Sequence, residues 1–163
     1  MAIAPVDSDL RFRIISEVTT DWQFRVRENG AIEYISAACE RTSGFPREEL
    51  LAGKVRLRDY VHPDDYPRIR AHYHDAVAGK EGHDIEFRIR RKDGAVRWGS
   101  LSFVPVRDES GPSFGFRGSI RDITDRKNAE EAVRRERELL DIDVRSEPGR
   151  GTAFLVYLPA VRG

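Results

Sequence analysis

The stretch Gly118-Ser119-Ile120-Arg121-Asp122-Ile123-Thr124-Asp125-Arg126-Lys127-Asn128-Ala129-Glu130-Glu131-Ala132-Val133-Arg134-Arg135-Glu136-Arg137-Glu138-Leu139-Leu140 decides how the chain is read. Its first part alternates, with Gly118, Ile120 and Asp122 on one side, as a strand does. From residue 125 to 140 it is mostly Glu, Arg and Ala, with no glycine, proline or aromatic residue. Those residue types lose little freedom in a helix, so the composition predicts one. No Gly or Pro separates strand from helix. A movement of the sheet could therefore pass along the helix as along a lever.

The 163 residues suit one ordinary domain with appendages and can bury a real core. Lys plus Arg number 28, and so do Asp plus Glu, which leaves no net charge to draw the chain to nucleic acid or to an acidic membrane. No apolar run is long enough to span a bilayer, and the N-terminus lacks the basic start and apolar core of a signal peptide. A single cysteine, Cys39, excludes an internal disulfide. A cytoplasmic protein without direct membrane insertion is expected.

Around the deciding stretch the chain alternates between turn signals and short periodic runs. Leu10, Ile14 and Val18 fall at i, i+4 and i+8, which predicts a flanking helix within residues 1–20. Trp22, Phe24 and Val26 alternate with Gln23, Arg25 and Arg27. Glu28-Asn29-Gly30 then turns the chain, with Asn-Gly supplying positive φ, and Ala31 to Ile35 returns. Ser36 is read as the cap of a short helix that Gly44 ends, and Pro46 as the start of another. Asp64 and Asp65 suit the positive end of a longer helix carrying Ile69, Tyr73, Ala76 and Val77. Three strands follow: Ile85, Phe87 and Ile89 on the first, a turn at Lys92-Asp93-Gly94, Val96 to Val106 with Trp98 and Phe103, and Phe114 to Ile123. Strands segregated from helices predict an α+β domain with short helices over one face of a sheet.

Glu28-Asn29-Gly30, Tyr34-Ile35-Ser36, Gly44-Phe45, His62-Pro63-Asp64-Asp65, Arg91-Lys92-Asp93-Gly94, Trp98 and Asp122-Ile123-Thr124 stand in the order of a PAS domain with its PAC motif. The resemblance covers roughly residues 8–127. It implies a PAS fold at 21–124: a five-stranded antiparallel sheet around a small pocket, used for sensing and dimerisation. It also implies that Asp122, Ile123 and Thr124 close the core and relay a signal into helix 125–140. Residues 141–163 then read as a β-hairpin with a glycine-rich turn. Gly149, Gly151, Thr152 and Phe154 resemble the last glycine motif of the ATP-binding domain of sensor histidine kinases.

Between these two resemblances most of a kinase is missing. The four histidines, His62, His72, His74 and His83, all precede Trp98, so helix 125–140 offers no phosphoacceptor. The kinase family's Mg²⁺-binding Asn helix and its Asp-x-Gly-x-Gly stretch have no counterpart. By that family's mechanism the chain does not autophosphorylate. Two classes stay open: a non-catalytic sensory and dimerisation module of two-component signalling, or a fragment or internally deleted form of an ATP-dependent sensor histidine kinase.

No cofactor is expected. Arg68 stands where haem-binding PAS domains carry their iron ligand, and His72 and His74, two apart on a helix, point to different faces. Flavin photochemistry in light-sensing relatives needs a cysteine in an Asn-Cys-Arg motif on a later helix, whereas Cys39 lies in Ala38-Cys39-Glu40. Trp22, Phe24, Tyr34, Ile69, Tyr73, Phe87, Trp98, Phe103 and Phe116 either line a pocket or simply fill the core. Asp122, on the Phe116–Gly118–Ile120 side by period 2, needs a partner, and a basic or backbone donor near the flanking helix is expected. A homodimer is expected through Leu10, Ile14 and Val18 and through a short seam of Ala129, Val133 and Leu140, interrupted by Arg126 and Glu136. A histidine kinase or another two-component protein is the other candidate partner.

Overall fold

A computed structural model describes residues 19–106, 115–139, 141–146 and 152–157. Its first unit ends at Ile123. Five strands, β1 (Trp22–Arg27), β2 (Ile32–Ile35), β3 (Gly82–Arg90), β4 (Val96–Pro105) and β5 (Gly115–Asp122), form one sheet in the order β2-β1-β5-β4-β3. Every pairing is antiparallel. Between β2 and β3 the chain makes four helices: α1 (Ala38–Ser43), α2 (Arg47–Leu51), α3 (Leu57–Tyr60) and α4 (Tyr66–Val77). The α+β class and the five-stranded antiparallel sheet are as the sequence predicts.

Alternation decides which face is buried. On β5, Phe116 and Ile120 point inward and are 4% exposed, while Arg117 and Arg121 face out. On β3, Phe87 and Ile89 are buried. β4 departs from the expectation: Gly99, Leu101 and Phe103 are its buried residues, so Trp98 lies on the opposite face, with the Arg88 guanidinium 6.0 Å from its ring centre. The sequence grouped Trp98 with Phe103. Their separation is odd, and the pleat sends them to opposite sides.

Both hairpin turns close the same way. Gly30 and Gly94 carry φ of 82° and 84°, and the side chains of Asn29 and Asp93 accept the N–H groups of Ala31 and Ala95 at 3.0 Å. Asn29 itself keeps negative φ, so its contribution is the acceptor rather than a left-handed backbone. The second turn also finishes α1. Gly44 ends that helix at φ 74°, Arg91 donates to the carbonyls of Arg41 and Thr42, and the Lys92 N–H reaches the Ser43 carbonyl at 3.0 Å. Ser36 does not cap α1. Its hydroxyl accepts the Gln23 N–H at 2.9 Å and donates to the Asp21 carbonyl, tying β2 to the start of β1.

The His62-Pro63-Asp64-Asp65 segment covers the free edge of β3. Val61 bridges to Ile89, the His62 N–H donates to the Arg88 carbonyl at 2.9 Å, and Arg68 donates to the Glu86 carbonyl at 2.6 Å. Pairing the edge this way removes a site for intermolecular strand addition. Asp65 does not cap α4 with its side chain. Its carboxylate accepts the Arg88 backbone N–H at 2.8 Å and holds the Arg88 guanidinium through both oxygens at 3.0 Å. The Arg88 hydrogen bond, opposed by some desolvation, keeps the Asp65 carboxyl below its ordinary value. A depressed folded pKa stabilises the fold above the unfolded carboxylate value of 3.8, and that contribution is lost as pH falls through the lower folded value. Asp65→Asn is therefore expected to cost about 1–3 kcal/mol at neutral pH. The variant should also lose part of the wild type's fall in stability below about pH 5. Urea melts from neutral to acid pH test this, and parallel pH profiles for the two proteins would contradict it.

The second unit contains α5 (Thr124–Leu139) and a separate two-stranded hairpin of β6 (Asp141–Ser146) and β7 (Thr152–Tyr157). The hairpin is antiparallel, with Val144 opposite Phe154 and Ser146 opposite Thr152. Gly149 and Gly151 lie outside the described residues, as do Leu10, Ile14, Val18 and Leu140. α5 is laced by ion pairs: Arg126–Glu130 at 2.7 Å, Arg134–Glu131 at 2.8 Å and Arg135–Glu131 at 2.9 Å. Its stability as a helix thus comes from propensity and i to i+3 or i+4 pairs. Ala129 and Val133 are exposed, Val133 by 49%. Among the described residues no helix is long and apolar enough to cross a membrane.

Candidate functional site: an apolar cavity under the sheet

A cavity of about 300 Å³ lies between the inner face of the sheet and the helices. The sheet supplies Trp22, Phe24 and Val26 from β1, Ile32 and Ile35 from β2, Phe87, Leu101 and Phe103 from β3 and β4, and Phe116 and Ile120 from β5. Leu50, Val55, Leu57, Tyr60, Ile69 and Tyr73 come from the helical layer, with Arg56. The phenylalanines pack edge to face: the Phe116 ring lies 6.1 Å from Phe24, 5.7 Å from Tyr73 and 6.2 Å from Phe103, so the walls are firm. Gly30 leaves room for Tyr73, whose hydroxyl would sit 2.9 Å from any β-carbon there.

Seven of the nine residues expected to form a pocket or core meet here: Trp22, Phe24, Ile69, Tyr73, Phe87, Phe103 and Phe116. Tyr34 and Trp98 do not line the cavity. Tyr34 is buried beside α2, with the Arg47 guanidinium 5.6 Å from its ring centre. Trp98 is on the other face of the sheet, for the reason given above. The sequence reading also missed the floor made by Leu50, Val55, Leu57 and Tyr60. Leu57 and Tyr60, three apart and preceded by the helix start at Arg56, were the available signal. The Asp59 carboxylate accepts the Arg56 N–H at 2.7 Å, which fixes that start.

The polar groups at the walls are few. Trp22 is 2% exposed, and its Nε1–H has no hydrogen-bond acceptor among the described residues. Burial, reinforced by the neighbouring Tyr73, pushes the Tyr60 phenol well above its ordinary value, so it stays protonated. Arg56 is exposed and is the lone ionised side chain among the described lining residues.

The expected relay residues sit at the end of β5. Ile123 is 7% exposed and donates its N–H to the Trp98 carbonyl at 2.9 Å, anchoring the last residue before α5 to β4. Asp122 has a basic partner in Arg97 of β4 at 2.7 Å, with side chains 29% and 42% exposed. This is a cross-strand ion pair at the rim of the sheet, while the flanking helix near which a donor is expected lies outside the described residues. Such a pair is screened by water, so Asp122→Ala is expected to remove about 0.2–1 kcal/mol of coupling to Arg97. A double-mutant cycle with Arg97→Ala checks it, and a coupling above about 2 kcal/mol would contradict the exposed geometry.

A five-stranded antiparallel sheet closed over an apolar cavity by short helices defines a single-sheet α+β fold with an internal space under the sheet. Residues 32–120 match the family model described as the PAS fold, and the chain belongs to that family. A methyl sulfide methyltransferase-associated sensor of Methanosarcina acetivorans is 26% identical over 86% of this chain and 14% of its own length. A blue-light-activated histidine kinase of Rhizobium johnstonii is 29% identical over 64% of this chain and 30% of its own. The chain thus spans under a third of the length of these relatives. A solved structure of a Rhodobacter sphaeroides LOV protein covers 78% of this chain and 74% of its own at TM-score 0.62 and 19% identity, a likeness of fold.

Flavin is the cofactor that the resemblance to light-sensing PAS domains brings into question, so the cavity must be tested against it. The described lining has no carboxamide, imidazole or thiol. A flavin's pyrimidine edge carries several donors and acceptors, and most would be buried unpaired here. Cys39 is fully buried in α1 away from the cavity, and burial pushes its thiol up to about 12, leaving it without thiolate character. These residues do not fit a flavin adduct. Nor do they fit a haem: Arg68 is bound to the β3 edge, and none of the histidines lines the cavity.

Proposed function

We propose that this chain is the sensory and dimerisation module of a two-component signalling protein. On this reading residues 21–124 detect a small molecule in the cavity, and helix 125–140 relays its presence. The carrying observation is the junction: β5 walls the cavity through Phe116 and Ile120, and α5 begins two residues after β5 ends, with buried Ile123 between. A change in cavity contents that shifts β5 moves the first residue of the helix with it. Asp122, Ile123 and Thr124 are the relay residues in this proposal.

The dimer would use Ala129 and Val133 on α5 together with Leu10, Ile14, Val18 and Leu140. Exposed Val133 and Ala129 support it, and the intrahelical ion pairs help hold α5 as a helix. Two short heptads contribute little on their own, so the N-terminal residues must share the contact. Sedimentation of the full chain beside Val133→Asp tests this. A wild-type dimer weakened by the substitution is expected, and a monomer at tens of micromolar would contradict it.

A second reading treats the chain as a fragment or internally deleted form of an ATP-dependent sensor histidine kinase. The pairing of β6 with β7 around the Gly149-to-Phe154 motif favours it, because the motif falls at a hairpin in that kinase domain too. Under either reading this chain does not phosphorylate itself, since helix 125–140 has no histidine. A histidine kinase or another two-component protein would then be the partner, in the cytoplasm, without nucleic acid or membrane insertion.

A further inference from the structure

We propose that the cavity takes a carboxylate amphiphile, with its apolar body inside and its carboxylate head at the mouth, where it meets Arg56. The inference rests on reading the cavity as the sensory pocket, and it names the class of molecule sensed.

The mouth is placed by exposure. Among the described residues that line the cavity, Gly53 and Arg56 are the exposed ones. Both lie in the connection of residues 52–56 between α2 and α3. The cavity therefore meets solvent at that connection. Gly53 agrees with this: its φ is 67°, and a β-carbon there would meet nothing within 4 Å. Away from the mouth the walls include Val26, Phe87, Phe103, Phe116 and Ile120, all buried. These are hydrocarbon surfaces, and they suit a hydrocarbon body. At about 30 Å³ for each water-sized group, a space of about 300 Å³ holds about ten non-hydrogen atoms.

The head is decided by charge at the mouth. Lys54, Arg56 and Arg58 alternate along this connection into α3, and all are exposed. Neither Lys54 nor Arg56 makes an ion pair among the described residues. Asp59, the acid of the same segment, is already engaged. Its carboxylate accepts the Arg56 backbone N–H at 2.7 Å and lies 4.0 Å from Arg58, and it is not among the lining residues. No carboxylate lines the cavity among the described residues, so a cationic head would meet cations only. An uncharged head would gain little from a guanidinium that water already solvates. A carboxylate gains from it, because the planar fork of arginine can hold both carboxylate oxygens. The arginine stem can also lie along apolar surface while its charged end stays in water. One space thus offers an apolar interior and a cationic rim, which is the complement of an anionic amphiphile.

The test titrates the full chain at neutral pH with octanoate, 1-octanol, octylammonium and butyrate, followed by calorimetry and by backbone amide NMR signals. Octanoate is expected to bind about ten-fold tighter than 1-octanol and to shift amide signals at residues 53–57 and on β5. Octylammonium should bind more weakly than octanoate because of its charge, and butyrate because it lacks the body. Added salt should weaken octanoate and leave 1-octanol unchanged. Arg56→Gln keeps the backbone N–H that Asp59 accepts, and in it the affinity for octanoate should fall close to that for 1-octanol. Binding of 1-octanol as tight as that of octanoate overturns the carboxylate head while leaving the sensory pocket standing. A preference for octanoate that Arg56→Gln leaves intact overturns the assignment of the head to Arg56. Butyrate binding as tightly as octanoate overturns the seating of the body in the cavity. Failure of every octyl probe to bind overturns the pocket reading itself, and this inference with it.

Discussion

Phe87→Ala is expected to lower stability by about 3–5 kcal/mol, a large share of what a domain of this size has. Phe87 is 1% exposed at the centre of β3 and opposite Gly99 of β4. Gly99 has no room for a side chain: a β-carbon there would lie 2.8 Å from Ile89, 2.9 Å from Ile120 and 3.2 Å from Phe87. The three large residues have taken the space over that glycine, so Phe87 is gripped on the sheet side and faces the cavity on the other. Truncating it opens a void that joins the existing cavity, and nothing nearby can collapse into it. The cost belongs at the upper end of large-to-small substitutions for that reason. A thermal melt should shift down by about 10 °C or more. A shift of a degree or two would mean that the helical layer closes over the gap, and that the cavity is softer than its edge-to-face rings imply.

Gly115→Ala is the second large effect. Gly115 has φ of 119°, a conformation open to glycine and costly for any L side chain. A β-carbon there would collide with the Val26 carbonyl oxygen and stand 2.9 Å from the Arg27 backbone. Backbone atoms of a paired strand cannot rotate away, so β1 and β5 must separate at that end. The expected cost is on the order of 3 kcal/mol or more. Gly79→Ala is the matched control. Gly79 also has positive φ, at 79°, but nothing lies within 4 Å of its β-carbon. It carries only the conformational penalty, about 1–2 kcal/mol. Equal losses in the two variants would show that the contact with β1 is not what matters at Gly115.

How far the sequence could be read depended on how local each cause was. β1, β3 and β5 alternate cleanly, and their inward residues were correctly paired with the core. The turns at Gly30 and Gly94 and the end of α1 at Gly44 follow from two or three adjacent residues. β4 could not be resolved in this way. Trp98, Leu101 and Phe103 do not share a period of two, and only the crowding over Gly99 shows which face is inside. Asp65 stands at the start of α4 as expected, but its partner, Arg88, lies 23 residues away in sequence and no local pattern announces it. Ser36 was misread for the same reason, since Gln23 and Asp21 compete with the helix for its hydroxyl. The cavity's aromatic walls were legible as a set of residues. Its floor at Val55, Leu57 and Tyr60 was not, because in a four-residue helix the available signal is a single pair three residues apart, too little to read as a period.

The central claim is that the contents of the cavity are felt in α5. Ile69 lines the cavity from α4, an element well separated in sequence from β5 and α5, and is 2% exposed. Ile69→Phe fills part of the cavity without altering β5 or α5 chemically. Amide hydrogen exchange of the full chain, compared residue by residue with this variant, gives the most direct answer. The account predicts altered exchange at Ile123 and through residues 124–139, as well as in the strands that wall the cavity. A change confined to residues 22–122, with α5 exchanging as in the wild type, would contradict it.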